Sequence, residues 1–277
     1  MRKLLVLLSA AALLSSCGTV VWSGLSWHKI PADGHRTGVT APSSDYPEEQ
    51  IGISNGEFYA APSGKIIVGG ATPEVAQIMY QAQPGMADLK TVIGRSLEGM
   101  QASRPESKLS NWTVDILMEQ AEKATGIKVD VGIANFGGIR TSIPQGDVLK
   151  DDLVSMFPFK NYLAVVTLKG SRLREIFTQM ARQGVQVVGG VKLVISNGAL
   201  QSVSVGGKAL DDDKTYNVAT IDFLMTGGDG YRLGDGALQS VVTDVAMIDA
   251  ILPKVLELTA AGKTLDYKTD GRVTIIK

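Results

Sequence analysis

Three short segments of this sequence place polar or aromatic side chains next to glycine or proline. They are N-F-G-G-I-R at residues 135–140, F-P-F-K-N at residues 157–161 and D-F-L-M-T-G-G-D-G-Y at residues 222–231. Between them they carry two aromatic rings, one carboxylate and one guanidinium: Phe159, Phe223, Asp229 and Arg140. A purine nucleoside suits such a set, because rings stack on the base, a carboxylate accepts hydrogen bonds from the ribose, and a cation lies near phosphate.

Each segment also has an ordinary structural interpretation. A glycine pair followed by arginine is typical of a tight turn with a surface cation. Phe159 and Phe223 can both be core aromatics. Asp229, which lies between glycines, can simply shape a turn.

The elements that must position these segments follow from the spacing of apolar residues. Predicted helices cover residues 110–125, with Ser110 or Asn111 as N-cap, 171–182, and 244–258, with a kink at Pro253. Predicted strands cover residues 127–133, 162–168, 216–223 and 272–276, and residues 191–205 form a hairpin. The pattern indicates a mixed α/β (α+β) fold with the three segments in loops next to strands, where sites usually lie.

The N-terminus predicts export and lipid attachment. Residues 1–16 have a basic start and an apolar run too short to span a bilayer, which is typical of a signal peptide. L-S-S-C at residues 14–17 resembles a bacterial lipobox, so Cys17 is the expected site of lipid attachment, with a buried structural cysteine as the alternative. Residues 17–50 are then a lipid-anchored tether and 51–277 the folded domain. We expect an extracytoplasmic protein held to a bacterial membrane.

The charge composition argues against one class of partner. Lys and Arg total 27 against 28 Asp and Glu, which gives a net charge of −1. No basic excess favours a nucleic acid polymer as ligand.

In order and spacing, the three segments resemble motifs of the C-terminal, substrate-binding domain of bacterial and animal 5′-nucleotidases. The likeness extends over about residues 66–277 and includes P-E-S-K-L-S-N at residues 105–111. It implies a layered fold with mixed sheets and flanking helices, and a nucleoside or nucleoside monophosphate as ligand. The residues that it implies for substrate binding are Arg104, Asn135, Arg140, Phe159, Asn161, Gly190, Phe223 and Asp229.

The resemblance also implies a role for most of these residues. Phe159 and Phe223 sandwich the base, Asp229 holds the ribose hydroxyls and Asn135 touches the base. The guanidinium groups of Arg104 and Arg140 face the phosphate side, while Gly190 lines the pocket. Two departures are Lys108, where some members carry arginine, and Phe136, where glycine is frequent; lysine lacks the planar fork for bidentate phosphate contact.

Complete members of that family carry an N-terminal metallophosphatase domain whose metals activate water. Here Asp33-Gly34-His35 matches the D-x-H metal motif, but no histidine follows His35, so the other ligands cannot be assembled. The lack of histidine also excludes Ser-His-Asp and Cys-His catalysis in the domain. We expect no catalytic residue, metal or cofactor in this chain, with divalent metals only in a partner chain.

Two functions of different class follow, and a third is weaker. In the first, the chain is the substrate-binding half of a split 5′-nucleotidase, inactive alone and completed by a separate metallophosphatase subunit. In the second, it is a stand-alone extracytoplasmic nucleoside- or nucleotide-binding lipoprotein. A degenerate domain kept for structure is disfavoured because the stacking and ribose residues are present.

Overall fold

The computed structural model describes residues 47–276 of the 277-residue chain. The signal peptide 1–16, Cys17, Asp33, His35 and all but the last four residues of the tether 17–50 therefore lie outside the described part. Those last four residues, 47–50, are helical. The structure forms two compact units that divide between Gln83 and Pro84. The domain boundaries inferred from the sequence stay predictions, and each unit is described by itself.

The first unit is a small sheet with a helix. Its elements are α1 (Pro47–Ile51), β1 (Ile53–Ser54), β2 (Phe58–Ala60), β3 (Ile66–Val68) and α2 (Ala71–Ala82). The three strands pair antiparallel in the order β1-β2-β3. Buried Tyr59 donates its hydroxyl hydrogen to the Ile51 carbonyl at 2.7 Å, which joins β2 to the end of α1.

The second unit contains most of the described chain. A 3-10 helix over Gln83–Lys90 leads into it. Its elements are β4 (Val92–Ser96), α3 (Lys108–Thr125), β5 (Val131–Ala134), β6 (Gly146–Leu149), α4 (Lys150–Met156), β7 (Tyr162–Lys169), α5 (Gly170–Gln183), β8 (Val187–Gly189), β9 (Val191–Ser196), β10 (Ala199–Val205), β11 (Lys208–Ala209), β12 (Thr215–Ile221), α6 (Asp222–Met225), β13 (Gln239–Ala246), α7 (Met247–Ala260) and β14 (Val273–Ile276).

The central sheet of this unit has five strands in the order β13-β7-β12-β5-β8. Strand β12 runs parallel to β5, whereas β7 is antiparallel to β12 and β8 is antiparallel to β5. A second sheet of four strands has the order β11-β10-β9-β14, and β4 pairs with β6. The predicted mixed α/β class with mixed sheets and flanking helices is confirmed.

Helix α3 packs closely onto the central sheet. Ser107 caps its start by accepting from the Ser110 backbone N–H, and Gly126 ends it. A Cβ at Gly132 of β5 would lie 2.6 Å from Met118 Cγ and 2.7 Å from Val114 Cγ2. The helix and sheet therefore approach at a distance that only glycine permits here.

A buried ion-pair network joins the last strand to α3. The Arg272 side chain is 7% exposed, and its two terminal nitrogens donate to the Asp115 carboxylate at 2.9 and 3.0 Å. Arg272 also donates to Asp270, and Tyr267 donates its hydroxyl hydrogen to Asp115 Oδ2 at 2.6 Å. The hydrogen bonds from Arg272 hold the pKa of Asp270 below its usual value.

Several predicted boundaries were wrong, each for a local reason. Strand β5 begins only at Val131, because the Val129 N–H bonds to the Glu122 side chain instead of a neighbouring strand. The strand predicted to reach residue 223 ends at Ile221, where Asp222 starts a short helix. The helix predicted from residue 244 begins at Met247, because the residues before it form β13.

Other predicted elements are confirmed, and their ends shift by at most two residues. The helix predicted over 110–125 is α3, although its cap is Ser107 instead of Ser110 or Asn111. The strand predicted over 162–168 is β7, and the helix predicted over 171–182 is α5. The hairpin of residues 191–205 is β9 and β10, and the strand predicted over 272–276 is β14. Among the described helices, none is long and apolar enough to cross a membrane.

Candidate functional site

The three sequence segments meet at one edge of the central sheet. Parallel strands β5 and β12 end at this edge, and antiparallel β7 begins there, since Leu163 pairs with Ile221. The segment 135–140 follows β5, 157–161 precedes β7 and 222–231 follows β12. The topology therefore brings together three loops that are far apart in sequence.

Two aromatic rings on these loops are open to solvent. Phe159 is 48% exposed and Phe223 is 41% exposed, so neither is a core aromatic. The Phe223 ring lies against the backbone of Gly228, where a Cβ would come within 2.3 Å of the ring. Exposed rings held on braced loops are available to stack on a flat ligand.

A hydrogen bond joins the first and third loops. Buried Asn135 donates from Nδ2 to Asp229 Oδ2 at 2.8 Å. Asp229 has a left-handed backbone with φ 51°, and its side chain is exposed. The carboxylate is fixed through one oxygen, while the residue remains accessible to a ligand that donates hydrogen bonds.

Two arginines lie over aromatic rings beside this pair. The Arg140 guanidinium carbon is 5.8 Å from the centroid of Phe159, and its Nη1 donates to the Gly137 carbonyl. The Arg104 guanidinium carbon is 4.7 Å from the centroid of Phe136, and its Nε donates to the Val185 carbonyl at 2.9 Å. Both arginines are exposed, so stacking positions two cations without removing them from solvent.

The charges of Arg104 and Asp229 both act on the pKa of the Tyr231 hydroxyl. Burial raises the pKa of the Tyr231 hydroxyl, the positive charge of Arg104 lowers it and the negative charge of Asp229 raises it. The hydroxyl therefore stays protonated at neutral pH and donates to the Gly184 carbonyl at 3.4 Å.

The structure does not bring Gly190 to this group of residues. Strand β8 is antiparallel to β5, with Val187 beside Ala134 at the site edge and Gly189 beside Gly132 further away. Gly190 lies beyond that far end, where a Cβ would come within 2.3 Å of the Asp130 carbonyl oxygen. Glycine at position 190 permits this close backbone contact, and a role for Gly190 in lining the pocket stays a prediction.

The two departures from the expected motifs both have partners. Lys108 forms an ion pair with Glu98, and this contact raises the pKa of Lys108. Phe136 provides the ring on which Arg104 stacks. The side chains of Lys108 and Phe136 are therefore both engaged in contacts within this chain.

The comparison with known protein families agrees with the geometry. The family described as 5′-nucleotidase, C-terminal domain, matches residues 86–235, which is more than half of the chain. The chain belongs to this family.

Relatives of this 5′-nucleotidase C-terminal domain include longer proteins. The protein UshA of Yersinia enterocolitica is 31% identical over 200 residues, which are 69% of this chain and 35% of UshA. The 5′-nucleotidase of Vibrio vulnificus is 31% identical over 152 residues, 53% of this chain and 27% of the relative. The crystal structure of a 5′-nucleotidase precursor from Thermus thermophilus matches with a TM-score of 0.65 at 25% identity, over 74% of this chain and 43% of that structure. The chain thus spans about a third of the length of these curated relatives.

Three residues that support the loops of this 5′-nucleotidase C-terminal domain were missed by the sequence analysis. Asp222 Oδ1 accepts from the backbone N–H groups of Tyr162 and Phe223 at 3.1 and 2.8 Å. Gln186 accepts from the Phe136 N–H at 3.0 Å, and Gln179 donates to the Gly230 carbonyl at 3.0 Å. Asp222 opens the third segment, so its position was visible in the sequence although its bonds were not, whereas neither glutamine has a distinguishing sequence context.

The described residues contain no cluster of side chains that could bind a metal ion. Across residues 47–276, no three His, Cys, Asp or Glu side chains lie close enough together to hold one. The side chains at the site instead offer stacking surfaces, one fixed carboxylate and two cations. These groups can bind and orient a ligand.

Proposed function

We propose that this chain is the nucleoside-recognition half of a split 5′-nucleotidase. The observation that carries the proposal is the meeting of two half-exposed phenylalanines, Phe159 and Phe223, with the braced carboxylate of Asp229 at one sheet edge. A nucleoside needs both kinds of contact, one for its base and one for its ribose. Membership of the 5′-nucleotidase C-terminal domain family supports the same ligand class.

In this proposal each loop has its own role. Phe159 and Phe223 hold the base between their faces, and Asn135 reads its edge. Asp229 accepts hydrogen bonds from the ribose hydroxyls while Asn135 keeps its carboxylate in place. Arg140 and Arg104 face the 5′-phosphate as stacked, pre-oriented cations. Asn161 lies with Asn135 in the wall beneath the loops.

Phosphate ester hydrolysis in this proposal needs a second chain. A separate metallophosphatase subunit supplies divalent metals, which lower the pKa of a bound water and so provide the nucleophile. This chain contributes binding and orientation, which place the phosphate at that centre. It is not active alone.

The location proposed for this function is outside the cytoplasm. Lipid on Cys17 would hold the chain to a bacterial membrane, with the tether between anchor and domain. Mass spectrometry of the mature protein tests this: a diacylated N-terminal Cys17 is expected, and an intact residue 1 or unmodified Cys17 would contradict it.

A second candidate is a stand-alone nucleoside-binding lipoprotein. The observation that favours it is that the Asn135–Asp229 hydrogen bond and the contacts of Asp222 join the loops within this chain. Such a pocket is pre-organised and needs no partner to form.

A mixing experiment separates the two candidates. The full-length protein is combined with a metallophosphatase chain of the same genome that lacks this domain, and phosphate release from AMP is measured with divalent metal present. We expect the mixture to exceed the sum of the separate rates by at least about tenfold, since orientation of a substrate is worth that much or more.

Two variants control this experiment. Phe159→Ala should abolish the gain on mixing, whereas Leu238→Ala, an exposed apolar residue away from the three loops, should keep it. Nucleoside binding without any gain on mixing would support the stand-alone binder and contradict the split enzyme.

A further inference from the structure

Gln186 lies at the same edge of the central sheet as the three loops. It directly precedes strand β8, whose first residue Val187 pairs with Ala134 of β5. Continued by one residue, this antiparallel register places Gln186 beside Asn135. No role in the proposed function uses the Gln186 side chain.

The side-chain amide of Gln186 is fixed through its oxygen. Oε1 accepts from the Phe136 backbone N–H at 3.0 Å, and the residue is only 7% exposed. Because a backbone N–H needs an acceptor, this hydrogen bond also decides which end of the amide is oxygen and which is nitrogen. The position of the Nε2 group is therefore defined as well.

The Nε2 group of Gln186 keeps its two hydrogen-bond donors unused. It has no hydrogen-bond partner among the residues that the structure describes. It also differs from the unpaired hydroxyls of Thr113 and Thr220, since those oxygens are closed to solvent and Nε2 of Gln186 is not. A nearly buried residue thus presents one open amide nitrogen at the site. Such a donor favours a ligand that supplies an acceptor atom.

Arg104 presents further unused donors beside Gln186. Its Nε donates to the carbonyl of Val185, the residue before Gln186, and its guanidinium lies over the Phe136 ring. Phe136 is also the residue whose N–H binds Gln186. Arg104 is exposed and forms no ion pair with a carboxylate of residues 47–276, so its two terminal nitrogens stay available. The same short stretches of backbone thus position a cation and a neutral donor.

We propose that Gln186 is a ligand-binding residue whose Nε2 group donates to an oxygen of the 5′-phosphate, together with Arg104. This inference rests on the proposed function, in which Arg104 faces the phosphate. A phosphate group offers three acceptor oxygens, so a guanidinium and an amide nitrogen can bind different oxygens of one group. Gln186 then raises the preference for a nucleoside monophosphate over the nucleoside.

Two variants separate this donor from the bracing role of Gln186. Gln186→Glu keeps an oxygen for the Phe136 N–H and replaces the donor by a second oxygen. Gln186→Met removes both polar groups and adds no charge. Calorimetric titration of the full-length proteins in metal-free buffer gives the Kd for AMP and the Kd for adenosine, and the ratio of the two reports the contact with phosphate. Thermal unfolding checks that each variant is folded.

We expect the ratio of the AMP Kd to the adenosine Kd to rise at least about tenfold in Gln186→Met, the usual effect of losing one hydrogen bond to a charged group. The ratio should rise further in Gln186→Glu, because a carboxylate repels the phosphate. Loss of the Phe136 hydrogen bond alone weakens both ligands equally and leaves the ratio unchanged. The control Gln201→Glu, at an exposed position on β10 of the second sheet, adds the same charge and should keep both Kd values.

An unchanged ratio in either Gln186 variant would overturn the phosphate contact, even if both ligands bind more weakly. If the natural protein still binds AMP and adenosine, that result leaves the proposed function intact, so the two failures are distinguishable. If the natural protein binds neither ligand, the proposed function and this contact fail together.

Discussion

Asp229 is the residue whose carboxylate is proposed to bind the ribose of the nucleoside. One carboxylate oxygen accepts from Asn135, which fixes the side chain, and the exposed position of the residue leaves it open to ribose hydroxyls. The backbone of Asp229 is left-handed, and the nearby Gly227 and Gly230 also have positive φ angles. The position therefore demands a residue that tolerates this conformation and carries a charge, which favours aspartate over most alternatives.

Replacing Asp229 should weaken ribose recognition. Asp229→Asn keeps the backbone preference but removes the charge, and hydrogen bonds to a charged group contribute roughly 1.5–3 kcal/mol. We expect the Kd for adenosine to rise about 10- to 100-fold, and the loss for 2′-deoxyadenosine to be smaller because one donor is already missing. Calorimetric titration measures both ligands.

Asp235→Asn is the control for that prediction. Asp235 is exposed and close in sequence, but outside the three segments. It should leave the Kd unchanged. An Asp229→Asn variant with the affinity of the natural protein would remove the ribose role.

The identities of the candidate site residues were predictable from the sequence, but the exposure of their side chains was not. Phe159, Phe223, Asp229 and Arg140 could be selected because they belong to short segments that contain glycine or proline. Their exposure depends on how β5, β7 and β12 pair, which one sequence does not reveal. The direction of β8, which one sequence does not reveal either, decides which end of that strand lies at the site.

Among the elements, β7 and β12 set the distance between the two aromatic loops. Asp222 lies at the end of β12, and its carboxylate accepts from the first residue of β7, Tyr162, and from Phe223. One side chain thus ties the loop that carries Phe159 to the loop that carries Phe223.

Asp222→Ala should therefore loosen the aromatic pair. We expect adenosine affinity to fall about tenfold, the effect of roughly 1–2 kcal/mol from two lost hydrogen bonds to backbone. Asp222→Asn retains an oxygen acceptor and should restore most of the affinity. If asparagine is as poor as alanine, the charge of Asp222 matters and its role is not positioning.

The packing of α3 on β5 makes a second prediction about elements. Gly132→Ala would push a methyl group into Met118 and Val114, and such overpacking costs roughly 1–3 kcal/mol. We expect thermal unfolding at a temperature several degrees lower. Gly85→Ala, where an added Cβ would meet nothing within 4 Å, is the control and should be nearly neutral.

Long elements were predicted best and short ones worst. Helices α3 and α5 and strand β7 have sustained apolar spacing, so their existence followed from the pattern. Strand β13 was missed because its residues alternate between half-buried and exposed without a strong apolar face. The cap Ser107 moved the start of α3 because side-chain hydrogen bonds, which periodicity ignores, decide where a helix starts.

Across the second unit as a whole, the ion pairs of Arg272 link the C-terminal strand to α3. The hydrogen bonds from Arg272 lower the pKa of Asp270, so this group stabilises the folded protein above its unfolded pKa of about 4 and loses that effect as pH falls through the lower folded value. Asp270→Asn should lower the melting temperature most at about pH 6. The difference from the natural protein should shrink towards about pH 3.

Asp244→Asn is the control for this pH dependence, because Asp244 is an exposed aspartate on β13 that forms no ion pair with Arg272. Its melting temperature should follow that of the natural protein. A difference for Asp270→Asn that stays constant from about pH 6 to about pH 3 would show that the charge of Asp270 contributes nothing.

The most direct test of nucleoside recognition is calorimetric titration of the full-length protein with adenosine and AMP in metal-free buffer. Phe159→Ala, Phe223→Ala and the control Leu238→Ala are titrated in parallel. We expect the natural protein and the control to bind, and each phenylalanine variant to lose roughly 1–3 kcal/mol, the value of stacking on one base. No binding by the natural protein at millimolar ligand, or equal binding by all four proteins, would contradict a nucleoside site at this edge of the sheet.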